Sequence, residues 1–158
     1  MIKIMFVCHG NICRSPMAEF IFKKLVADAQ LSEHFLICSS ATSTEEIYRG
    51  TGNPVYPPAK RELEKHGISC EGKRAVQLQK GDYQNYDMLI AMDENNVRNI
   101  YRIVGTDTKG KVHKLMSFTG TNSDVIDPWY SERFDIAYSD ISAGCLALFE
   151  YLKKEFLI

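Results

Sequence analysis

The N-terminal stretch reads as a strand, a short loop and the start of a helix. Residues 2–7 are mostly apolar and of β-forming types, which predicts a buried strand. Ser15, Pro16 and Glu19 are typical of a helix start, with a capping hydroxyl, a proline in the first turn and an acid soon after. The loop between them, residues 8–14, would turn its backbone N–H groups inward at the positive end of the helix dipole. The stretch therefore predicts an anion-binding site.

Two side chains in this loop are suited to phosphoryl transfer. Cys8 opens the loop, where inward N–H groups would stabilise its thiolate, the nucleophilic form of cysteine. Arg14 closes the loop, and its planar guanidinium fits two oxygens of a phosphate. Gly10 permits torsions that a side chain would penalise, and Asn11 tolerates a left-handed conformation. We interpret the loop as a phosphate cradle around a nucleophile. A buried strand-end cysteine beside an unrelated surface arginine is the alternative.

The pattern along the chain predicts one α/β domain over residues 1–158. Further apolar runs predict three more strands, at residues 35–38, 88–92 and 112–116. Amphipathic or capped segments predict helices at residues 16–29, 58–66, 94–104 and 134–156. Because strands alternate with helices, we expect a parallel sheet flanked by helices, with the phosphate loop after the first strand.

A long loop is expected at residues 39–58, which are rich in serine, threonine, glycine and proline. Such a loop in a small domain is usually functional. An aromatic side chain here can stack on the ring of a bound substrate, and we select Tyr48 for that position. Glu19 on the first helix is expected to be solvated, as are Lys73 and Arg74 in the irregular segment that follows the second helix.

Asp127 begins a second stretch of chemical interest, together with Trp129 and Tyr130. Asp-Pro is ordinarily a turn signal. Displacing an oxygen from phosphorus is easier if an acid protonates that oxygen, and aromatic walls would hold an aromatic leaving group. Asp127 is therefore the candidate proton donor, with Trp129 and Tyr130 as walls of a substrate pocket. Asp93, which also precedes a predicted helix, is interpreted as an N-cap.

The run VCHGNICRSPMAE, residues 7–19, resembles the signature of the low-molecular-weight protein tyrosine phosphatases. The similarity extends to Ser39, to residues 91–94 and to residues 127–130, so it covers essentially the whole chain. It implies a four-stranded sheet flanked by helices, and hydrolysis of phosphotyrosine through a phosphocysteine at Cys8. It also implies that the aspartate of the last segment acts first as general acid and then as the base that activates water.

The resemblance also implies roles for the residues around the nucleophile. The phosphate oxygens would be held by backbone N–H groups of the loop: His9, Gly10, Asn11, Ile12, Cys13 and Arg14. Ser15 would donate a hydrogen bond to the thiolate, and Ser39 would hydrogen-bond Asn11. Cys13 matches a second loop cysteine of the family, which can trap an oxidised Cys8 as a disulfide.

Composition restricts the partners and the compartment. The formal net charge of -1 gives no electrostatic case for nucleic acid, and no apolar run approaches the length of a membrane span. Five irregularly spaced cysteines favour a reducing compartment over a disulfide framework. No Cys/His spacing is typical of zinc, so we expect neither metal nor cofactor. We expect a cytoplasmic monomer that binds phosphate and other oxyanions, acts on phosphotyrosine-containing proteins, and contacts neither nucleic acid nor membrane.

Three other functions remain open. An arsenate reductase on the same fold relays electrons through further cysteines after the second helix, where this chain has only Cys70. A protein-arginine phosphatase resembles the present loop but tends to have a threonine where this chain has Ile12. A catalytically inactive phosphotyrosine-binding module would lack a catalytic group, whereas Cys8, Arg14 and Asp127 are all present. We therefore favour phosphotyrosine hydrolysis.

Overall fold

A four-stranded parallel sheet forms the centre of the molecule in a computed structural model that describes all of residues 1–158. The strands of the chain are β1 (Ile2–Cys8), β2 (Phe35–Ala41), β3 (Ile47–Tyr48), β4 (Thr51–Gly52), β5 (Met88–Ala91) and β6 (Val112–Lys114). The central sheet has the order β2-β1-β5-β6 with every pair parallel, while β3 and β4 form a separate antiparallel hairpin. The predicted sheet, with the phosphate loop after its first strand, is confirmed.

Six α-helices surround the sheet. They are α1 (Arg14–Asp28), α2 (Pro57–Lys65), α3 (Asp82–Asn85), α4 (Glu94–Val104), α5 (Pro128–Ser131) and α6 (Phe134–Phe156). Short 3-10 helices follow α1 and β6, at Ser32–His34 and Leu115–Thr119. None of these helices has both the length and the apolar character needed to cross a lipid bilayer.

The central strand β1 is buried on both faces. Ile4 and Phe6 point into the largest of three apolar clusters, which lies under α1 and α6. Met5 and Val7 point into the second cluster, which lies under α4. Because successive side chains of a strand face opposite sides, a strand covered on both sides needs an unbroken apolar run. This requirement explains why the apolar residues of positions 2–7 form a nearly continuous run and do not alternate with polar ones.

Packing of α1 on the sheet fixes the end of the phosphate loop. The ring of Phe22, near the middle of α1, lies 5.8 Å from that of Phe6, 5.6 Å from that of Phe35 and 5.9 Å from that of Phe149. These tilted or edge-on contacts are the preferred arrangement of aromatic rings. They connect α1 with β1, β2 and α6, so the first turn of α1 is held rigidly against the carboxyl end of β1.

The predicted boundaries are wrong beside the phosphate loop. β2 continues to Ala41, whereas it was expected to end at residue 38, because Ser39, Ser40 and Ala41 pair with the last residues of β1. The expected loop at 39–58 is shortened accordingly and contains the β3–β4 hairpin. The first helix begins at Arg14, which places Ser15 inside the helix instead of at its cap.

The β3–β4 hairpin is held against the segment after α2 by a close backbone contact. Arg74 Nη1 donates to the carbonyl oxygen of Gly52 at 2.9 Å, and a Cβ added to Gly52 would lie 1.8 Å from the carbonyl oxygen of Ala75. The oxygen belongs to the backbone, and the position of a Cβ is set by its own backbone, so neither atom can rotate away.

We expect Gly52→Ala to lower the free energy of unfolding by about 1–3 kcal/mol, the usual cost of overpacking. The measurement is urea unfolding of the purified protein. Gly81→Ala is the matched control, because its Cβ would meet nothing within 4 Å and its φ of -68° suits alanine. Equal stability of the two variants would contradict the proposed close contact.

Candidate active site

The phosphate loop, residues 8–14, wraps around the sulfur of Cys8 at the carboxyl end of β1. Cys8 is only 4% exposed. Its Sγ accepts the backbone N–H groups of Asn11 at 3.3 Å and of Ser15 at 3.4 Å. Amide dipoles directed at one point stabilise negative charge there, whether it is on the sulfur or on a bound oxyanion. The loop therefore has the geometry expected of a cradle for a thiolate and a phosphate.

A third group reaches the sulfur from Ser15. The Oγ of Ser15 lies 3.0 Å from Cys8 Sγ. The same Oγ accepts a hydrogen bond from Nδ2 of Asn11 at 2.7 Å. Since the amide occupies a lone pair of the oxygen, the hydroxyl acts as a donor, with Cys8 Sγ at 3.0 Å and the Ser40 carbonyl oxygen at 3.4 Å as its two acceptors. Ser15 thus has the position that the resemblance implied for it.

The side chain of Asn11 connects the phosphate loop with its surroundings. Its Nδ2 also donates to Ser39 Oγ at 2.9 Å, as expected, and its Oδ1 accepts the backbone N–H of Val76 at 3.1 Å. Asn11 itself has a φ of 60°, the left-handed region that asparagine tolerates better than most residues. Three amide hydrogen bonds therefore hold a strained backbone position in the centre of the loop.

A charge pair of Glu19, which is buried, and Lys73, which is partly buried, lies behind this amide, where the sequence predicted solvated charges. Ser39 Oγ donates to Glu19 Oε1 at 2.5 Å, and Lys23 Nζ donates to Glu19 Oε2 at 2.6 Å. Lys73 Nζ donates to the Ser39 carbonyl oxygen at 3.0 Å and lies 3.7 Å from Glu19 Oε1. Burial lowers the pKa of Lys73, against the opposing charge of Glu19. The predictions for Glu19 and Lys73 are wrong, because the segment after α2 folds back onto β2.

Arg14 is buried and fixed at three points. Its Nη1 donates to Asp93 Oδ2 at 2.7 Å and to the carbonyl oxygen of Val125 at 2.8 Å. Its Nη2 lies 3.5 Å from Asp127 Oδ2. Asp93 also caps α4 as predicted, since its other oxygen accepts the N–H of Asn96 at 2.7 Å. The cap is confirmed, and the second role of Asp93, orienting the guanidinium, was missed.

The guanidinium of Arg14 stays charged in spite of its burial. Burial by itself would lower the pKa of Arg14. The negative charges of Cys8, Asp93 and Asp127 outweigh that effect, so the pKa lies above its ordinary value. The cleft therefore contains a permanent cation that is poorly shielded by water, where its attraction for a phosphate is strong.

Asp127 lies at the N-terminus of the short helix α5. Its Oδ1 accepts the backbone N–H of Trp129 at 3.0 Å, and its other oxygen faces Arg14. The side chain is 30% exposed, so solvent reaches the carboxyl group. Asp127 lines one cleft with the whole phosphate loop, with Trp129 and with Tyr130. The three predicted catalytic groups are thus brought together at one edge of the sheet, Cys8 and Arg14 by the phosphate loop and Asp127 by a second loop.

The chain matches a known family over nearly its whole length. The family model described as "Low molecular weight phosphotyrosine protein phosphatase" matches residues 3–157. The chain belongs to this family. Among curated relatives, the low molecular weight phosphotyrosine protein phosphatase of Mus musculus is 37% identical over 153 residues, covering 94% of each chain. The resemblance seen in residues 7–19 is therefore confirmed.

Solved structures of related chains have the same fold. The crystal structure of YfkJ from Bacillus subtilis superimposes with a TM-score of 0.92 at 33% identity, covering 98% of this chain and 96% of that one. The structure of DARP, named as a drosophila arginine phosphatase, has a TM-score of 0.85 at 26% identity, with 96% and 98% covered. YfkJ is named a low molecular weight protein-tyrosine-phosphatase, so the fold is shared by proteins named for two different phosphorylated residues.

Tyr48 does not line the cleft of this phosphatase-family chain, contrary to the prediction. Tyr48 is 72% exposed and packs under its neighbour Arg49. Residues 47–52 form a hairpin in which Ile47 faces the small apolar cluster under the phosphate loop. The next side chain along a strand must face the opposite way, which is toward solvent.

Two glutamates occupy the mouth of the cleft, and sequence reasoning did not select them. Glu45 and Glu46 line the cleft beside the phosphate loop. Glu45 Oε2 lies 3.0 Å from His9 Nε2, and Glu46 Oε2 accepts from Asn53 Nδ2 at 2.7 Å. Their residue type does not indicate a place in the cleft, but their position in the chain does. Both acids follow β2, and parallel strands end at the same edge of the sheet, where β1 presents Cys8.

We expect two variants of Asn11 to separate its hydrogen bonds from its backbone strain. Asn11→Gly and Asn11→Ala both lose the three amide bonds, and each should be at least about 1 kcal/mol less stable than the wild type. The alanine variant should be less stable than the glycine variant by about a further 1 kcal/mol, since a Cβ is penalised at positive φ. Urea unfolding measures both; an alanine variant as stable as the glycine variant would contradict the left-handed conformation.

Proposed function

We propose that this chain hydrolyses phosphotyrosine in proteins through a phosphocysteine at Cys8. The observation that supports this most directly is one cleft lined by Cys8, Arg14 and Asp127. A nucleophile, a cation for the phosphoryl oxygens and a proton donor are the three groups that such a displacement needs. Membership of the family agrees with the proposed substrate class.

In the first half of the proposed reaction, the Cys8 thiolate attacks phosphorus. The S–P bond forms as the bond from phosphorus to the tyrosyl oxygen breaks. Arg14 and the loop N–H groups of residues 9–14 hold the equatorial oxygens, whose charge is greatest in the transition state. The protonated carboxyl of Asp127 gives its proton to the leaving tyrosyl oxygen, and free tyrosine side chain departs.

In the second half, water releases the phosphate. Asp127, now a carboxylate, takes a proton from a water molecule as that oxygen bonds to phosphorus. The S–P bond breaks, and the Cys8 thiolate is regenerated. The hydroxyl of Ser15, 3.0 Å from the sulfur, stabilises the thiolate as leaving group in this step.

Protein-phosphoarginine is the alternative substrate within the same mechanism. Ile12 lines the cleft and is 8% exposed, so an apolar side chain occupies the floor beside the phosphate position. Trp129 and Tyr130 border the same cleft. Apolar and aromatic walls suit the ring of phosphotyrosine better than a guanidinium with several donors to satisfy. We therefore propose the aromatic substrate.

An arsenate reductase is less compatible with the positions of the other cysteines. A relay needs thiols that can reach the sulfur of Cys8. Cys145 is buried within α6, with its Sγ 3.7 Å from the carbonyl oxygen of Ala18, and Cys70 is buried in the segment after α2. Neither thiol lines the cleft.

We also propose that the protein acts as a monomer in the cytoplasm. All the proposed catalytic groups come from one chain, so a second copy is not needed to complete the cleft. The five cysteines are unpaired, which suits a reducing compartment. Inorganic phosphate, the product, and similar oxyanions are the small ligands that the loop around Cys8 would bind.

The nucleophile and the substrate class are tested together with matched phosphopeptides. We expect the wild type to release phosphate from a phosphotyrosine peptide at least about tenfold faster, by kcat/KM, than from the same peptide with phosphoarginine. Cys8→Ser should abolish turnover yet still bind inorganic phosphate by calorimetry, because amide groups and Arg14 hold the anion. Turnover by pure Cys8→Ser would remove Cys8 as nucleophile, and a preference for phosphoarginine would overturn the substrate class.

The proton donor is tested with aryl phosphates of increasing leaving-group pKa. Asp127→Asn should slow the phosphorylation of Cys8 by roughly 10²–10⁴ for phenyl phosphate, the usual effect of losing a positioned acid. The loss should shrink for p-nitrophenyl phosphate, whose leaving oxygen needs little protonation. Pre-steady-state bursts report this step alone. Equal losses for all the aryl phosphates would exclude Asp127 as general acid.

Cys13 is proposed to protect Cys8 from irreversible oxidation. Cys13 is buried in the same loop, and both residues line the cleft. Burial raises the pKa of the Cys13 thiol, and the negative charge of Cys8 raises it further. Peroxide converts Cys8 to a neutral sulfenic acid, which removes that charge. Cys13 can then attack the sulfenic sulfur, so that a disulfide forms and water leaves.

Recovery from peroxide tests this protection. After equal exposure, dithiothreitol should restore most of the wild-type activity but little of that of Cys13→Ser, each as a fraction of its own starting activity. The physical reason is that a sulfenic acid without a partner thiol oxidises further to forms that thiols do not reduce. If both proteins recover equally, Cys13 only fills space beneath the loop.

A further inference from the structure

One aromatic residue, Tyr56, contacts two loops. They are the phosphate loop, residues 8–14, and the acid loop, which is defined as residues 125–133. We propose that Tyr56 is a positioning residue for the general acid, fixing the distance between Asp127 and the phosphate loop. The inference rests on the proposed role of Asp127 as proton donor. Tyr56 does not line the cleft, so it acts through its neighbours and not on the substrate.

The backbone of Tyr56 is tied to the phosphate loop. Its N–H donates to the carbonyl oxygen of Ile12 at 2.9 Å. Ile12 lies in the middle of the loop, between Asn11 and Cys13, and all three are buried. Tyr56 is also the residue directly before α2, so a helix continues from the point of contact. The Cα of Tyr56 is therefore held at a fixed position relative to Cys8.

The ring of Tyr56 packs against the acid loop. Its centroid lies 4.8 Å from that of Trp129, with the planes inclined at 49°, and 6.1 Å from that of Phe134. Trp129 is two residues after Asp127, and its backbone N–H donates to the Asp127 carboxylate at 3.0 Å. The Tyr56 ring therefore contacts Trp129, and the backbone N–H of Trp129 holds the Asp127 carboxylate.

Before Asp127, the acid loop is held by hydrogen bonds of the Val125 backbone. The backbone of Val125 is fixed by Met92 at 2.9 Å and by Arg14 at 2.8 Å. Ile126, by contrast, is 61% exposed and Tyr130 is 83% exposed. After the acid, the loop is held by the buried Pro128, by the contact of Trp129 with Tyr56, and by its continuation into α6 at Phe134. Of these, the contact with Tyr56 is made by Trp129, the residue whose N–H binds the Asp127 carboxylate.

The chemistry makes this separation important. A general acid must come within about 2.6–3.2 Å of the oxygen that it protonates. That oxygen is placed by phosphorus, and phosphorus by the phosphate loop, so the spacing between the two loops decides whether the proton can be delivered. A displacement of about 1 Å is enough to lower a rate by up to about 10². Arg14 links the two loops through its contacts with Val125 and Asp127, and Tyr56 links them a second time, through Ile12 and Trp129.

The contact depends on the ring and not on the hydroxyl. The Tyr56 hydroxyl makes no hydrogen bond to the protein, whereas the ring is partly buried between Trp129 and Phe134. A phenylalanine would keep the same stacking area, and an aliphatic residue would not. Tyr56→Phe should therefore keep the positioning role, whereas Tyr56→Ala and Tyr56→Leu should lose it.

The experiment compares Tyr56→Ala, Tyr56→Leu and Tyr56→Phe by burst kinetics on phenyl phosphate and p-nitrophenyl phosphate. We expect Tyr56→Ala to phosphorylate Cys8 about 2- to 10-fold more slowly with phenyl phosphate, from the lost aromatic contact, with a smaller loss for p-nitrophenyl phosphate. Tyr56→Phe should restore the wild-type ratio between the two substrates. Tyr56→Leu should behave as Tyr56→Ala does, and it fills the space if the alanine variant folds poorly.

A double variant separates this inference from the proposed function. In an Asp127→Asn background, Tyr56→Ala should cause no further loss with phenyl phosphate, because there is no proton left to position. An additional loss there, or equal losses of Tyr56→Ala on both substrates, would overturn the role of Tyr56 and leave that of Asp127 intact. If the loss of rate in Asp127→Asn is the same for all leaving groups, Asp127 is not the general acid. The role of Tyr56 is then overturned as well.

Discussion

The amide side chain of Asn11 is the contact on which the site depends. It closes a loop that must turn sharply enough to aim N–H groups at one sulfur, a shape that requires positive φ. Its three hydrogen bonds are made to Ser15, Ser39 and the backbone of Val76, on three different segments. All of these groups are buried or partly buried, where unpaired polar atoms are costly. The loop shape is therefore enforced by the packed interior and not by local preference alone.

The charged groups in the cleft are also held by partners from distant segments of the chain. Arg14 is buried, and a buried guanidinium without partners would destabilise the fold. Asp93 supplies that partner from the end of the neighbouring strand, and it also caps α4, so one carboxylate connects the helix, the sheet and the guanidinium. These contacts hold the Arg14 guanidinium in a fixed orientation beside Cys8. The acid loop is brought to the same point by its Val125 carbonyl, which Arg14 also binds.

Residues that belong to short local patterns were predicted well. Cys8, Arg14 and Ser15 lie within a continuous strand, loop and helix, so backbone geometry alone relates them. The exposure of Tyr48 and the burial of Lys73 were not predicted. The direction of Tyr48 depends on a two-residue hairpin whose register is set by contacts with distant segments. The burial of Lys73 depends on a chain that returns to β2 after a helix. Local charge and aromatic character do not report such contacts.

The sequence by itself determined the sheet class, the position of the loop after β1, the candidate nucleophile and the family, because apolar periodicity and a contiguous motif act over a few residues. The tertiary structure alone decided which groups from other loops meet that motif. It brought Asp93 to Arg14 over a separation of 79 residues, and it placed Tyr56 against Trp129. Parallel strands end at a common edge, so residues far apart in the chain converge there, and which side chains touch is settled only when the core is packed.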